Sequence, residues 1–318
     1  MGQERVLRTF ILAAMGLALF AYLKPASPDP MENTRARLTW FYLNKTHQPP
    51  EYDAVIIGDS RGLRGISPGT MEKILPDLQI FNFSFNAGGM NPEMFTEAEK
   101  LLSDTASQPI IILATTSLSF QTWKQDNSQF REYAAKPRDQ VWMYLKGGNL
   151  SEYFQPMSPA IFPRKWLGMK PPVLVWEEFH QDGWIASDQQ PWSDYSDLTE
   201  HQQKLAPYRV DQNAISNYMS QVRDWTSNGI LVIGFTPPSN PATIEVEDAA
   251  LDFDPSGFRS QFETAGGTWL DLPREGYETY DGSHLTKASA VRFSEVLAQS
   301  IARYLPPAAA PPMHPSAR

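Results

Sequence analysis

Apolar and polar residues follow two rhythms along this chain, and together they predict an α/β fold. Short apolar runs read as buried parallel strands: Tyr52 to Gly58 (YDAVIIG), Gln79 to Phe85, Pro109 to Thr115, Ile230 to Thr236, and the shorter Thr268 to Leu272. Between them lie segments with helical spacing: Asn33 to Lys45, Pro68 to Leu75, Asn91 to Ser103, Val210 to Asn228, Phe258 to Ala265 and Thr286 to Tyr304. Ser67 before Pro68 and Asn91 before Pro92 are start signals, a capping side chain followed by proline at the first helical position. Gly229 closes the helix that begins at Val210. Strands alternating with helices imply a parallel sheet covered on both faces.

Three stretches break the pattern. From Phe120 to Tyr208 there is no strand–helix alternation, and aromatic residues are dense, among them Trp123, Trp142, Trp166, Trp176, Trp184 and Trp192. A stretch this long within a domain reads as an insertion that covers a ligand, although each ring taken singly is also ordinary packing material. Residues 306–318 are rich in proline and alanine and read as a disordered tail. At the other end, Phe10 to Leu23 is an uncharged apolar run extended by Val6 and Leu7, with Arg5 and Arg8 before it and Lys24 after it. No small-residue cleavage site follows the run, which favours an uncleaved signal anchor over a cleaved signal peptide. The positive charge keeps the N-terminal end cytoplasmic, so the remainder is expected to face outward. The expected organisation is therefore an anchor and spacer over 1–30, an α/β domain over 31–305 with its insertion at about 120–208, and the tail.

Composition removes several classes of chemistry. The 318 residues carry a formal net charge of -9, which argues against a nucleic-acid partner. There is no cysteine, so thiolate zinc sites, iron–sulfur clusters and cysteine nucleophiles are excluded. Only five histidines remain. His180, His201 and Asp182 match no common metal-ligand spacing. No phosphate-binding loop or dinucleotide fingerprint is present, and no cofactor is expected.

Candidate chemistry lies at the ends of strands, where ligands bind in open α/β sheets. The first strand runs into Gly58-Asp59-Ser60-Arg61, a turn that presents a hydroxyl at the start of a helix. Far along the chain, Asp281-Gly282-Ser283-His284 precedes the last helix. An aspartate three residues before a histidine can hold one imidazole nitrogen while the other faces a nucleophile. Taken singly, the first motif also reads as a helix cap, and the second as a turn.

Together the two motifs resemble the SGNH/GDSL hydrolase superfamily over roughly Tyr52 to Leu305. The resemblance implies a three-layer flavodoxin-like fold. It also implies Ser60 as nucleophile, His284 as general base and then acid, and Asp281 as the orienting carboxylate. The Ser60 N–H would join an oxyanion hole with a glycine after the second strand, Gly88 or Gly89, of which Gly89 is favoured. The family's asparagine after the third strand is missing; Ala114-Thr115-Thr116-Ser117 stands there, so Thr116 or Ser117 is the candidate hydroxyl donor. Losing one oxyanion donor costs a factor of about 10²–10³, so this departure bears on efficient hydrolysis. Arg61 and Ser117 are the expected substrate-binding residues, with Arg64 a further cation near the nucleophile.

The anchor and the degenerate third block look like membrane-anchored superfamily members that work beside membrane-bound O-acyltransferases. That likeness implies a serine esterase or acyltransferase acting on acyl groups, acetyl above all, of an envelope polysaccharide. Two alternatives stand beside it: a non-catalytic glycan-binding or assembly subunit, and a lipase or thioesterase.

Overall fold

The computed structural model describes residues 2–23, 35–137, 167, 174–193 and 198–306. Five parallel strands form the central sheet: β1 (Ala54–Gly58), β2 (Ile80–Asn82), β3 (Ile110–Ala114), β6 (Leu231–Phe235) and β7 (Thr268–Trp269), in the order β2-β1-β3-β6-β7. Ala54 is aligned with Ile80 on one side and Ile110 on the other, and Ile110 in turn with Leu231. The chain leaves β1 in one direction to form β2 and in the other to reach β3. The C-terminal end of β1 therefore lies at the reversal of strand order where open sheets bind ligands.

The period-two geometry of strands sends alternate residues to opposite faces. Val55, Ile57, Phe81, Ile111, Leu113 and Val232 bury against α2 (Arg35–Thr46), α5 (Pro92–Glu99), α8 (Gln212–Ser227) and α10 (Pro255–Thr264). Ala54, Ile56, Ile80, Ile112, Ile233 and Phe235 bury against α4 (Pro68–Met71) and α11 (Lys287–Ile301). This two-sided burial explains why the strands are apolar without alternation. It also gives the expected three layers.

Helix starts follow their capping residues. Asn91 Oδ1 accepts from Met94 N at 3.0 Å ahead of Pro92. The same Asx-Pro device starts two helices that the apolar spacing misplaces. Asn240 caps α9 (Pro241–Leu251), which has no counterpart among the expected helices, and Asp254 caps α10, which begins at Pro255 rather than Phe258.

The stretch from Phe120 to Tyr208 is not without structure. Its described part contains α6 (Ser128–Ala134), an antiparallel hairpin of β4 (Leu174–Phe179) with β5 (Ile185–Gln190), and α7 (Thr199–Leu205). Its aromatics divide: Tyr133 and Trp184 are core, while Trp123 and Trp192 are exposed. Trp142 and Trp166 lie outside the described residues, as do the spacer and the tail from 307 onward.

The N-terminal run does form a helix, α1 (Gly2–Leu23), of 22 residues. Among the described residues, however, no helix is long and apolar enough to cross a membrane. The expected span is to that extent corrected.

Candidate active site

Helix α3 (Ser60–Gly65) begins directly after β1, and Asp59 is its cap, accepting from Arg61 N at 2.9 Å. Ser60 is thus the first helical residue, at the edge of the sheet. Its backbone N–H has no intrahelical acceptor, as for every first-turn position, and no other partner among the described residues.

The second motif arrives from the loop before α11. Tyr280 N donates to His284 O at 3.2 Å, and Thr279 and Leu285 form a bridge that closes the loop. Gly282 takes φ +75° inside it, a conformation open to glycine at little cost. Asp281 Oδ1 accepts from the N–H groups of Ser283 (3.0 Å) and His284 (2.7 Å), while Oδ2 lies 2.6 Å from His284 Nδ1. His284 Nε2 lies 2.8 Å from Ser60 Oγ. The carboxylate assigns the proton to Nδ1, which leaves Nε2 to accept from the serine hydroxyl. The Tyr280 ring stacks on the imidazole with centroids 5.9 Å apart, and its hydroxyl lies 3.1 Å from Ser187 Oγ on β5.

Electrostatics favours the base form. Burial lowers the His284 pKa below its ordinary 6.5; the Asp281 hydrogen bond opposes this, and the charges of Arg64 and Arg61 reinforce it. Burial pushes the Asp281 carboxyl up, but hydrogen bonds and charge from His284, with the two backbone N–H groups, hold it below 3.8. At neutral pH the pair is a neutral imidazole beside a carboxylate. Ser60, His284 and Asp281 are therefore brought together as their spacing led us to expect.

The remaining expected residues are held by other partners. Gly89 donates its N–H to Asn127 Oδ1 at 2.8 Å and accepts from Asn127 Nδ2 at 3.1 Å, so that N–H is already engaged. Its need for glycine is steric: a Cβ there would lie 2.5 Å from the Lys124 carbonyl oxygen. Gly88 donates to Phe85 O. The unengaged N–H in this turn belongs to Ala87, a non-glycine residue at φ +51°, with no partner among the described residues. Thr116 does not offer a free hydroxyl either; it donates to Asp59 Oδ2 at 2.7 Å, beside Ser119 at 3.2 Å. Burial pushes the Asp59 carboxyl up, but Lys124, Arg61 and the Thr116 hydrogen bond hold it below 3.8.

Arg61 is corrected most fully. It is 3% exposed and makes a two-pronged ion pair with Glu247 at 2.8 and 2.7 Å, so it does not face a substrate. Ser117 is buried beside Asp248 in a cavity of about 30 Å³ lined by Arg61 and Thr116 but by neither Ser60 nor His284. Arg64 is held by Asn86 and by Glu177 at 2.8 Å. His180 stacks on Trp184, Asp182 accepts from Gly69 and Trp184, and His201 bonds Glu247, so these three serve separate contacts. Among the described residues no group of His, Asp and Glu could hold a metal ion. The sequence carries no signal for Ser187 or Glu247, and His201 stands out only as one member of an unmatched metal-ligand spacing.

No family model matches this chain, and no curated protein does. Among solved structures, a candidate acylhydrolase from Bacteroides fragilis is similar at 12% identity, covering 86% of this chain and 100% of that one. Its TM-score of 0.35 is too low to carry an argument.

Proposed function

We propose that this protein is a serine-dependent acyl-handling enzyme of the SGNH type. One observation carries the reading, the unbroken path Ser60 Oγ–His284 Nε2 and His284 Nδ1–Asp281 Oδ2 at 2.8 and 2.6 Å. Ser60 Oγ attacks the carbonyl carbon of an ester while Nε2 takes its proton. The carbonyl π electrons move onto oxygen, and the N–H groups of Ser60 and Ala87 are the donors assigned to that oxyanion. Its collapse expels the alcohol, which leaves with the proton from Nε2. Water or an acceptor hydroxyl then attacks the acyl-serine as His284 Nε2 takes its proton, and collapse of the second intermediate breaks the acyl–Oγ bond and returns that proton from Nε2 to Ser60. Asp281 stabilises the imidazolium throughout.

A fluorophosphonate probe tests the assignment. The wild-type protein is expected to be labelled and Ser60→Ala not; equal labelling of both would sink it.

The acyl groups are proposed to be those of an envelope polysaccharide, acetyl above all. The resemblance of the Gly-Asp-Ser-Arg and Asp-Gly-Ser-His motifs supports this, as do Trp123 and Trp192, exposed rings of the kind that stack on sugar faces. A membrane-bound O-acyltransferase is the proposed partner. Helix α1 exposes Val6, Leu7, Phe10, Leu12 and Met15, each more than 60% accessible. Apolar surface of that extent favours a lipid environment, and we assign α1 as the membrane attachment, with the catalytic domain outside the cytoplasm. Recovery of the full chain, but not of a chain lacking residues 1–23, in sedimented membranes checks this.

A non-catalytic role within an acyltransferase complex is the second reading. It is favoured by the engagement of the Gly89 N–H and the Thr116 hydroxyl, which leaves the site with fewer oxyanion donors than its resemblance implies. Full rescue of envelope acylation by Ser60→Ala would select it.

A further inference from the structure

The Arg61–Glu247 pair lies outside the chemistry above. Two groups of opposite charge, 3% and 1% exposed, sit beside the nucleophile. Withdrawing such ions from water is costly, and a pair of this kind is weak evidence for stability by itself. Its contacts suggest another use. Arg61 is the neighbour of Ser60, and its Nε and Nη2 donate to Ser283 Oγ at 3.1 and 2.9 Å. Ser283 lies inside the Asp281–His284 turn, and its own N–H is held by Asp281. Glu247, on α9, uses both oxygens for Arg61, and Oε1 also meets His201 Nε2 at 3.0 Å. His201 lies on α7, within the stretch from 120 to 208.

We propose that Glu247 and His201 are positioning residues. Through Arg61 they fix Ser283, and with it the Asp281–His284 turn, against the helix that carries Ser60. This rests on the reading of Ser60, His284 and Asp281 as an acyl-transfer site. The pair has two effects there. Its geometry sets the distance between Nε2 and Oγ, because one guanidinium spans both elements. Its charge adjusts the basicity of His284 on top of burial and the Asp281 hydrogen bond, because Glu247 offsets a cation that disfavours the imidazolium. The groups facing His284 are Asp281, Tyr280, Ser60, Arg64 and Arg61; those acting on Arg61 are Glu247, Asp59, Asp281 and Lys124. Removing the Glu247 charge changes the balance of this set by one unit. The helix α7 of the insertion thereby becomes a support of the catalytic turn rather than only a cover.

The test uses the full-length protein and a fluorophosphonate probe, with the inactivation rate constant and the half-saturating probe concentration measured separately from pH 4 to 9. Glu247→Gln keeps the shape and removes the charge. It is expected to slow inactivation by about 10- to 100-fold, the scale of a displaced catalytic group, with half-saturation little changed. The acidic inflection of the rate should move to lower pH, since an unbalanced Arg61 makes the imidazolium less favourable. A melting point that falls while the rate and its inflection stay at wild-type values would reduce the pair to a structural one and overturn the proposal. His201→Ala, at a half-buried position, decides the matter if Glu247→Gln does not fold: a slowing of about threefold or more supports the proposal, and a wild-type rate overturns it. Failure of wild-type protein to label at Ser60 would instead refute the reading on which this rests.

Discussion

Replacing Asp281 by asparagine tests the directionality of the hydrogen-bonded path. In the wild type, Oδ1 accepts two backbone N–H groups at 3.0 and 2.7 Å, and Oδ2 accepts from the imidazole at 2.6 Å. Asparagine has one acceptor oxygen and one donor nitrogen. The oxygen is expected to keep the two backbone donors, because the reverse orientation sets an amide NH₂ against both of them. The NH₂ then faces Nδ1 and donates to it. Nδ1 becomes the acceptor, the imidazole proton moves to Nε2, and Nε2 now presents N–H to Ser60 Oγ. A hydroxyl proton has nowhere to go. A wrong tautomer in this arrangement costs roughly 10⁴ in rate. The turn itself is expected to survive, since the Tyr280–His284 backbone bond and the Thr279–Leu285 bridge do not depend on the Asp281 side chain. Fluorophosphonate inactivation with circular dichroism on the same samples reads both quantities. Raising the pH should not restore the rate, because the defect is the position of a proton and not its number. A folded variant that reacts within about tenfold of wild type would refute the assigned role of Asp281.

Two further outcomes are expected. Burial lowers the His284 pKa below 6.5, so the inactivation rate should rise through an inflection below pH 6.5 and be flat by neutrality. Because the unfolded chain binds that proton first, stability should also decline as pH falls through the same window; an inflection at or above 6.5 contradicts this. Thr116→Val removes the hydroxyl that meets Asp59 at 2.7 Å and should lower unfolding free energy by about 1–3 kcal/mol in urea titration while labelling stays within about threefold. A labelling loss of about 10²–10³ with unchanged stability would instead return Thr116 to the oxyanion hole.

The fold was legible where two local signals coincide. An apolar run that ends in glycine identifies β1, a capping residue before proline identifies α4 and α5, and the amphipathic spacing closed by Gly229 identifies α8. Where only one signal exists, reading fails. Asn240-Pro241 and Asp254-Pro255 start helices, but the first mixes Glu245, Glu247 and Asp248 with its apolar residues and shows no one-sided stripe, and the second shows its apolar spacing only from Phe258. The β4–β5 hairpin turns at Asp182-Gly183, with Gly183 at φ +85°, but its strands lack strict alternation and further contacts hold it to distant partners. Lys45 Nζ, wholly buried, donates to Gly183 O at 2.7 Å, and Asn82 N donates to Asp182 O. No window of sequence around 174–190 contains those contacts.

Sequence separation explains the site in the same way. Asp281 and His284 are three residues apart, and their geometry is a property of one turn, so the motif carries it. The Gly89 N–H is claimed by a residue 38 positions away, the Thr116 hydroxyl by one 57 away, and Arg61 by one 186 away. Each is a polar group buried on folding, and a buried polar group takes whatever partner the topology brings. Identity at a motif position therefore settles which donor is present but not what it donates to. Gly58-Asp59-Ser60-Arg61 shows the consequence within four residues. A Cβ at Gly58 would lie 3.0 Å from Ala114 Cβ, so glycine lets β1 lie close to β3. Asp59 ties the loop after β3 to the helix cap, and Arg61 ties α9 to the catalytic turn. Ser60 alone is left facing the imidazole. Three structural duties around the Ser60 hydroxyl hold it at the meeting point of β1, β3, α9 and the last loop, which is the preorganisation that the proposed acyl transfer requires.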